Sequence, residues 1–138
     1  SLAAAREGLR RGYRHFVLYG AAGGSRLDHT LANLQTLLFL ERRGAKGTLV
    51  GLKYLITTVK NGVMKLPKAD EGIVSVFCLG EKAKGVTIRG LRYELDNGTL
   101  ESCFPLGVSN HFVGKEASVS VEDGALIVMY DIEKGFAE

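Results

Sequence analysis

Arg26 and Asp28 are residues whose types and spacing could do chemistry. They lie in the segment GAAGGSRLDHTLANL, residues 20–34, where a glycine-rich loop leads into a helical pattern. Glycines let the backbone approach a ligand, and free N–H groups at a helix N-terminus bind phosphate oxygens. Arg26 would add a forked cation for phosphate, and Asp28 could hold Mg²⁺ directly or through water. The loop therefore offers a phosphate and metal site, with Gly20, Gly23 and Gly24 as its close-approach positions.

A purely structural interpretation of the same residues is also open. Ser25 and Asp28 have the S-x-x-D spacing of a capping box, and a carboxylate in the first turn suits the helix dipole. The loop is not a Walker A sequence, because no GK[ST] follows, and it is not a GxGxxG fingerprint. The local pattern alone leaves capping and ligand binding as alternatives.

The elements that would position this loop follow an α/β order. A helix with Leu2, Ala5 and Leu9 on one face precedes the strand HFVLYG, residues 15–20. A longer helix over about residues 27–43 and the strand GTLVGL follow the loop; the helix carries an apolar stripe of Leu27, Leu31, Leu34 and Leu38. Parallel strands normally lie buried within a larger sheet. Residues 1–66 are therefore predicted to be part of a truncated, Rossmann-like parallel α/β unit.

The rest of the chain has no helical period and predicts antiparallel strands. Three turn signals, Asn61-Gly62, Asn97-Gly98 and Asp123-Gly124, lie between short strand-like runs, as hairpins require. The run ASVSV alternates cleanly, and a change of phase at Gly90 predicts a bulge between Val86–Ile88 and Leu91–Leu95. A small antiparallel sandwich or barrel would accommodate these strands. We predict a β-sandwich over residues 67–138, with the boundary near Pro67.

Net charge, hydropathy and cysteine content argue against several classes of partner and location. The net charge is +3, from 18 basic and 15 acidic residues, which is too mild to predict a nucleic-acid or membrane partner. No segment is long and apolar enough for a membrane span, and the first residues do not form a signal peptide. Cys78 and Cys103 form no CxxC pair, which favours free core thiols over a disulfide. These features predict a cytoplasmic protein.

Three segments, taken in order, resemble thiamin pyrophosphokinase. GAAGGSRLDHTLANL is similar to that family's glycine-Arg-x-Asp-His loop and the helix after it. GVTIRGLRYELDNGTLE is similar to the Gly-Leu-x-Tyr-x-Leu strand of its β domain, and PLGVSNHFVG, residues 105–114, resembles its Ser-Asn-x-Phe motif. Each motif alone is modest evidence for the family, whereas the three motifs in this order are specific for it and the resemblance covers essentially the whole chain.

The resemblance implies an enzyme that transfers pyrophosphate from ATP to the hydroxyl of thiamin and releases AMP. It implies that residues 1–66 belong to the ATP- and Mg²⁺-binding catalytic domain and residues 67–138 to a thiamin-binding domain. Asp28 is then a catalytic and metal-binding acid and Arg26 a catalytic phosphate clamp. Gly23, Gly24, Ser25 and Arg26 would contact the nucleotide, and Ser109 and Asn110 would bind thiamin. A homodimer is also implied, with sites shared between subunits.

The sequence departs from the family pattern at several places. Ser25 is inserted between the glycines and Arg26, and His111 stands where the family often has Glu. The family's Asp-Phe-Asp-Ser motif, with further metal-binding acids, is not found, so we expect a C-terminal fragment that is inactive by itself.

Alternatives to this interpretation are open. Within enzymes, the alternative is a related pyrophosphokinase acting on a pterin alcohol; from another class, it is a non-catalytic β-sandwich module that binds a small molecule. Ser109 and Asn110 could form only a turn. We expect His29 to lie on the helix surface or to contact the metal ligands without binding the metal itself. We expect Tyr93 to be a packed aromatic residue of a strand.

Overall fold

The computed structural model describes residues 1–132, which have two helices and eight strands. They divide into two compact units, one from Ser1 to Thr58 and the other from Val59 onward. Both helices lie in the first unit, and the described part of the second is built from strands and loops. The described chain is thus mostly β-sheet with a few helices. The Rossmann-like and sandwich assignments stay predictions.

The first unit contains the predicted helix–strand–helix–strand order. Its elements are α1 (Leu2–Arg10), β1 (His15–Tyr19), α2 (Leu27–Glu41), β2 (Lys46–Val50) and the first part of β3 (Tyr54–Leu66). β1 pairs with β2 in parallel, and β2 pairs with β3 antiparallel. A small core of Ala5, Leu40 and Ala45, with Phe16 and Phe39 against it, holds the helices to the strands.

The predicted buried stripe of α2 is wrong. Leu27 and Leu31 are exposed, and Leu34 and Leu38 are only half-buried. The buried positions of the helix are instead Asn33, Thr36, Leu37 and Leu40. Gly47 of β2 explains this choice of face, because a side chain there would lie 2.7 Å from Leu37 and 2.9 Å from Leu40. The two leucines therefore pack directly on the backbone of the strand.

The second unit contains the rest of β3 and the strands β4 (Ile73–Phe77), β5 (Lys82–Arg89), β6 (Leu95–Glu101), β7 (Asn110–His111) and β8 (Ala117–Asp131). The order is β3–β8–β4–β7, while β5 pairs with both β6 and β8. β8 contacts β5 along its first half and β4 along its second. Ala117, Val119 and Val121 are buried, which confirms the alternation predicted for ASVSV.

The three predicted hairpin turns lie inside strands instead. Asn61-Gly62 is within β3, Asn97-Gly98 within β6 and Asp123-Gly124 within β8. The unusual backbone conformation is nevertheless present, since φ is 45° at Asn61, 48° at Asn97 and 130° at Gly124. The N–H of Gly124 donates to Oδ1 of Asn61 at 2.9 Å, so two of these irregular positions support each other across neighbouring strands.

Gly90 and Tyr93 also differ from expectation. β5 ends at Arg89, so Gly90 lies at the end of a strand, and the register shifts of β5 lie earlier, between Lys84 and Ile88. Tyr93 belongs to no strand and is 61% exposed, so it is not a packed strand aromatic.

The remaining predictions about the chain as a whole have mixed outcomes. Both cysteines are free thiols; Cys78 is buried, but Cys103 is exposed and is not a core residue. Among the described residues, no helix is long and apolar enough to cross a membrane. The compact units divide within β3, before the predicted boundary near Pro67, and residues 133–138 of the predicted second domain lie outside the described part. The functional assignment of the two domains stays a prediction.

Candidate functional site

The glycine loop of residues 20–26 follows the C-terminal end of β1 and leads into α2. Gly20 and Gly23 have φ of 64° and 85°, in the left-handed region that favours glycine. A Cβ atom on Gly23 would also lie 3.0 Å from the hydroxyl oxygen of Tyr54. The backbone conformation therefore favours glycine at position 23, and a side chain there would also have to displace the Tyr54 hydroxyl slightly.

Asn33 attaches the loop to α2. Its side chain is buried, its Nδ2 donates to the carbonyl oxygen of Ala21 at 2.6 Å, and its Oδ1 accepts from the hydroxyl of Ser1. The loop borders a cleft of about 240 Å³, lined by Gly20, Ala21, Ala22, Gly24, Ser25, Arg26, His29, Thr30 and Asn33. Sequence reasoning missed Asn33. A polar residue in an apolar helical stretch was the available signal, but it does not identify the partner.

Arg26 and Asp28 form a bidentate ion pair at the start of α2. Nε of Arg26 donates to Oδ1 of Asp28 at 2.9 Å, and Nη2 donates to Oδ2 at 2.6 Å. The backbone N–H of His29 adds a third hydrogen bond to Oδ1 at 3.0 Å. The guanidinium of Arg26, followed by smaller contributions from His29, lowers the pKa of the Asp28 carboxyl below 3.8. Asp28 is therefore ionised at neutral pH.

The capping-box interpretation is wrong. Arg26, not Ser25, is the residue before the first helical turn, and its side chain makes no capping hydrogen bond. Asp28 lies inside the first turn and uses both carboxylate oxygens on Arg26. His29 is exposed and lines the cleft, as predicted for a helix-surface residue.

The loop has groups that suit an anionic ligand and a hard cation. Arg26 and the loop N–H groups can bind phosphate oxygens, and the Asp28 carboxylate is an oxygen ligand of the kind that Mg²⁺ prefers. Both side chains are about two-thirds exposed, at 64% and 63%, so their ion pair can open at little cost. Within residues 1–132, no three His, Cys, Asp or Glu side chains are close enough together to hold a metal ion.

A second pocket lies within the second unit. It has a volume of about 150 Å³ and is lined by Ile88, Tyr93, Glu94, Leu95, Leu106, Gly107, Val108 and Asn110. Residues 88–95 form one wall and residues 106–110 form the other. Tyr93, Leu106 and Val108 are exposed, and Glu94, whose Oε2 accepts the N–H of Gly90 at 2.8 Å, lines the same pocket. An aromatic ring, apolar side chains and an acid together suit a flat, positively charged ligand.

Asn110 joins the two walls of this pocket. The side chain is buried, and its Oδ1 accepts from the N–H of Tyr93 and from that of His111, both at 2.9 Å. Its Nδ2 donates to the carbonyl oxygen of Tyr93 at 2.6 Å. Asn110 therefore binds both the N–H and the carbonyl oxygen of Tyr93, and these bonds fix the backbone position of Tyr93.

Ser109 lies between two lining residues but is not one itself. It is exposed and has φ of 60°, which is uncommon outside glycine and asparagine. Its N–H donates to Oγ of the buried Ser75 at 3.1 Å. Sequence reasoning missed Ser75, because nothing local distinguishes it from another serine in a strand. It also missed the pocket position of Tyr93.

Part of the second unit matches the model of a known family. Residues 61–126 match the model described as thiamin pyrophosphokinase, vitamin B1 binding domain, and that range contains the whole pocket. The resemblance to thiamin pyrophosphokinase is therefore confirmed.

Solved structures named thiamin pyrophosphokinase share the fold of nearly the whole chain. The Bacillus subtilis protein superposes with a TM-score of 0.84 at 23% identity, over 95% of this chain and 61% of that one. A thiamin pyrophosphokinase family protein from Enterococcus faecalis has a TM-score of 0.76 at 27% identity, over 96% and 62%. The yeast enzyme has 0.69 at 21%, over 84% and 39%. None of the curated proteins is significantly similar in sequence.

The chain is shorter than these solved structures, so the similarity applies to only part of their length. The chain spans about three-fifths of the two bacterial structures, at 61% and 62%. The vitamin B1 binding domain match begins at residue 61, so the glycine loop is related to thiamin pyrophosphokinase through the structural superposition and the sequence resemblance, not through the domain model.

Proposed function

We propose that the pocket between residues 88–95 and 106–110 binds thiamin. The observation that carries the proposal is the chemistry of the lining. Thiamin has a positively charged thiazolium ring and an aminopyrimidine ring, and the pocket combines the exposed aromatic ring of Tyr93 with the carboxylate of Glu94 among apolar side chains. The domain match over residues 61–126 supports the same ligand. Ser109 and Asn110 remain the proposed substrate-binding residues.

The glycine loop is proposed to bind ATP and Mg²⁺. Gly23, Gly24, Ser25 and Arg26 would contact phosphates, and Asp28 would exchange its contact with Arg26 for the cation. Mg²⁺ would neutralise phosphate charge during transfer. The exposed, two-pronged Arg26–Asp28 pair supports this role, because each partner can be replaced by a ligand group of the same charge.

The proposed reaction of the parent enzyme is pyrophosphate transfer from ATP to the hydroxyl of thiamin, giving thiamin diphosphate and AMP. Residues 1–66 would then be the C-terminal part of a Rossmann-like catalytic domain, and residues 67–138 a thiamin-binding β-sandwich. The parallel pairing of β1 with β2 supports the first assignment. We also propose a homodimer in the cytoplasm that shares its sites between subunits, as the resemblance implies.

Titration calorimetry tests the pocket. We expect wild-type chain to bind thiamin, and Asn110→Ala to weaken that binding by roughly tenfold to a hundredfold, since a lost buried hydrogen bond costs ~1–3 kcal/mol. Affinity for MgATP should stay the same, because Asn110 lies in the other unit from the glycine loop. A hydroxymethylpterin serves as the competing ligand. Binding of the pterin but not of thiamin would contradict the proposal and favour the related pyrophosphokinase.

A further inference from the structure

Ser75 lies in the middle of β4 and is buried, although its hydroxyl takes no part in the ladder of strand hydrogen bonds. The residue faces the segment 107–110, which forms one wall of the pocket. Its Oγ accepts the N–H of Ser109 at 3.1 Å. A buried hydroxyl that binds the backbone of a pocket wall is in a position to set the shape of that wall.

The pairing of β4 with this wall contains one extra residue. Ile73 pairs with His111 and Val74 with Asn110, so a regular register would place Val76 opposite Val108. The N–H of Val76 instead donates to the carbonyl oxygen of Gly107 at 2.8 Å. The wall therefore has a β-bulge between Gly107 and Asn110, and bulges of this kind redirect side chains.

Ser109 provides the backbone conformation of the bulge. Its φ of 60° is a left-handed conformation that disfavours residues with a side chain. The bulge also leaves its N–H without a partner in the strand ladder, and a buried or half-buried N–H without a partner is costly. Ser75 supplies that partner. The hydroxyl thus stabilises an otherwise unfavourable conformation at one position.

Asn110 follows the bulge directly and pairs with Val74 on its regular side. The left-handed backbone of Ser109 therefore sets the direction in which the chain enters Asn110. Asn110 in turn binds the N–H and the carbonyl oxygen of Tyr93 at 2.9 and 2.6 Å. The chain of contacts therefore runs from Ser75 to Ser109, from Ser109 to Asn110 and from Asn110 to Tyr93.

We propose that Ser75 is a positioning residue for the pocket: its hydroxyl holds the bulge at Ser109, and through Asn110 it places Tyr93 on the pocket wall. This inference rests on the proposed function for the identity of the ligand, but the contact network exists without any ligand. Ser75 itself is not expected to touch thiamin, because its side chain is buried and its hydroxyl is bound to the N–H of Ser109.

The test is Ser75→Ala in the full chain, followed by amide hydrogen exchange measured residue by residue with NMR. We expect exchange at the N–H groups of Ser109 and Tyr93 to become about tenfold faster, and the Kd for thiamin to rise about tenfold. Ser120→Ala is the matched control, since Ser120 is a half-buried strand serine whose hydroxyl bonds the carbonyl oxygen of Thr87. The control should change neither quantity at these positions.

A double variant separates positioning from simple packing. Glycine adopts the left-handed conformation without strain, so Ser75→Ala with Ser109→Gly should return exchange at Tyr93 to near the wild-type rate. If exchange at Tyr93 is unchanged in Ser75→Ala, or stays equally fast in the double variant, the inference is overturned. If the alanine variant fails to fold, Ser75→Cys, which has a similar size and a weaker acceptor, carries the same expectations.

The two hypotheses fail in different ways. Faster exchange at Tyr93 in Ser75→Ala, combined with no thiamin binding by the wild-type chain, would overturn the proposed ligand and support the role of Ser75. Thiamin binding that is equal in wild type and variant, with unchanged exchange, would support the ligand and overturn the role of Ser75.

Discussion

At the scale of single residues, Asp28 shows how one side chain can satisfy two interpretations of a sequence. The S-x-x-D spacing predicts a capping box that begins at Ser25, whereas in the folded chain the Asp28 carboxylate binds the Arg26 side chain and the N–H of His29. The difference arises because the helix begins at Leu27, two residues later than Ser25. Because both side chains of the ion pair are exposed, Asp28 can exchange its contact with Arg26 for a ligand.

Asp28→Asn should separate the remaining possibilities. We expect the melting temperature to stay nearly unchanged, because the ion pair is exposed and an asparagine oxygen can still accept the N–H of His29. Affinity for MgATP, measured by calorimetry, should fall at least about tenfold if the carboxylate meets the cation. Glu7→Gln is the matched control, since Glu7 is another carboxylate of the first unit that pairs with arginines, here Arg10 and Arg11. Equal affinity in Asp28→Asn and wild type would refute the metal role.

At the scale of elements, strand β2 contains Lys46, and every residue of this strand is buried or half-buried. Burial lowers the pKa of Lys46, and the nearby charge of Glu41 offsets part of that effect. Because the folded pKa lies below the unfolded value, the unfolded chain binds more protons between the two, and the Lys46 contribution to stability rises with pH there.

Lys46→Met should remove this dependence. We expect the free energy of unfolding of the wild type, relative to the variant, to increase as pH rises toward the ordinary lysine pKa of 10.5. Urea unfolding at several pH values between 7 and 10 measures the difference. Subtracting the variant cancels other lysines and tyrosines that titrate in the same range. A flat difference across that range would mean that Lys46 has the same pKa in the folded and unfolded chain.

The end of β5 depends on close packing of backbone. A Cβ atom on Gly90 would lie 1.8 Å from the carbonyl oxygen of Glu116, and its φ of 76° already favours glycine. Gly90→Ala should therefore lower the free energy of unfolding by at least about 2 kcal/mol, measured with urea. Gly24→Ala is the control, because a side chain there meets nothing within 4 Å. Similar stability for both variants would show that the β5 end can move away from Glu116.

At the scale of the whole molecule, the chain resembles thiamin pyrophosphokinase over about three-fifths of the length of its solved bacterial relatives. Within residues 1–132, the Asp28 carboxylate belongs to no group of three His, Cys, Asp or Glu side chains that could hold a metal ion. Catalysis of phosphoryl transfer depends on positioning and on neutralising several charges at once. We therefore propose that the chain binds substrates without turning them over.

Release of AMP from ATP and thiamin measures turnover by the purified chain. We expect no release at the rates of ordinary enzymes, on the order of 1 s⁻¹ or above. The Bacillus subtilis thiamin pyrophosphokinase is the positive control, because its fold is shared and its chain is longer. Release at an enzymatic rate would show that the acids of the Asp-Phe-Asp-Ser motif are dispensable.

What the sequence determined by itself was mostly local. The existence and order of helices α1 and α2 and of strands β1 and β2, but not the buried face of α2, follow from hydrophobic period and glycine placement, which act over a few residues. The motifs GGSRLDH, GLRYEL and SNHF together indicated the family, because their order along the chain is itself information.

Tertiary structure decided everything that depends on distant partners. Asn61, Asn97 and Gly124 need a positive φ whether they form a hairpin or an irregular position within a strand, so only the neighbouring strand distinguishes the two. The buried face of α2 depends on Gly47, and the role of Asn110 depends on Tyr93, 17 residues away. Conformational preference is encoded near each residue, whereas strand pairing, helix facing and pocket geometry require contacts that form only when the chain folds.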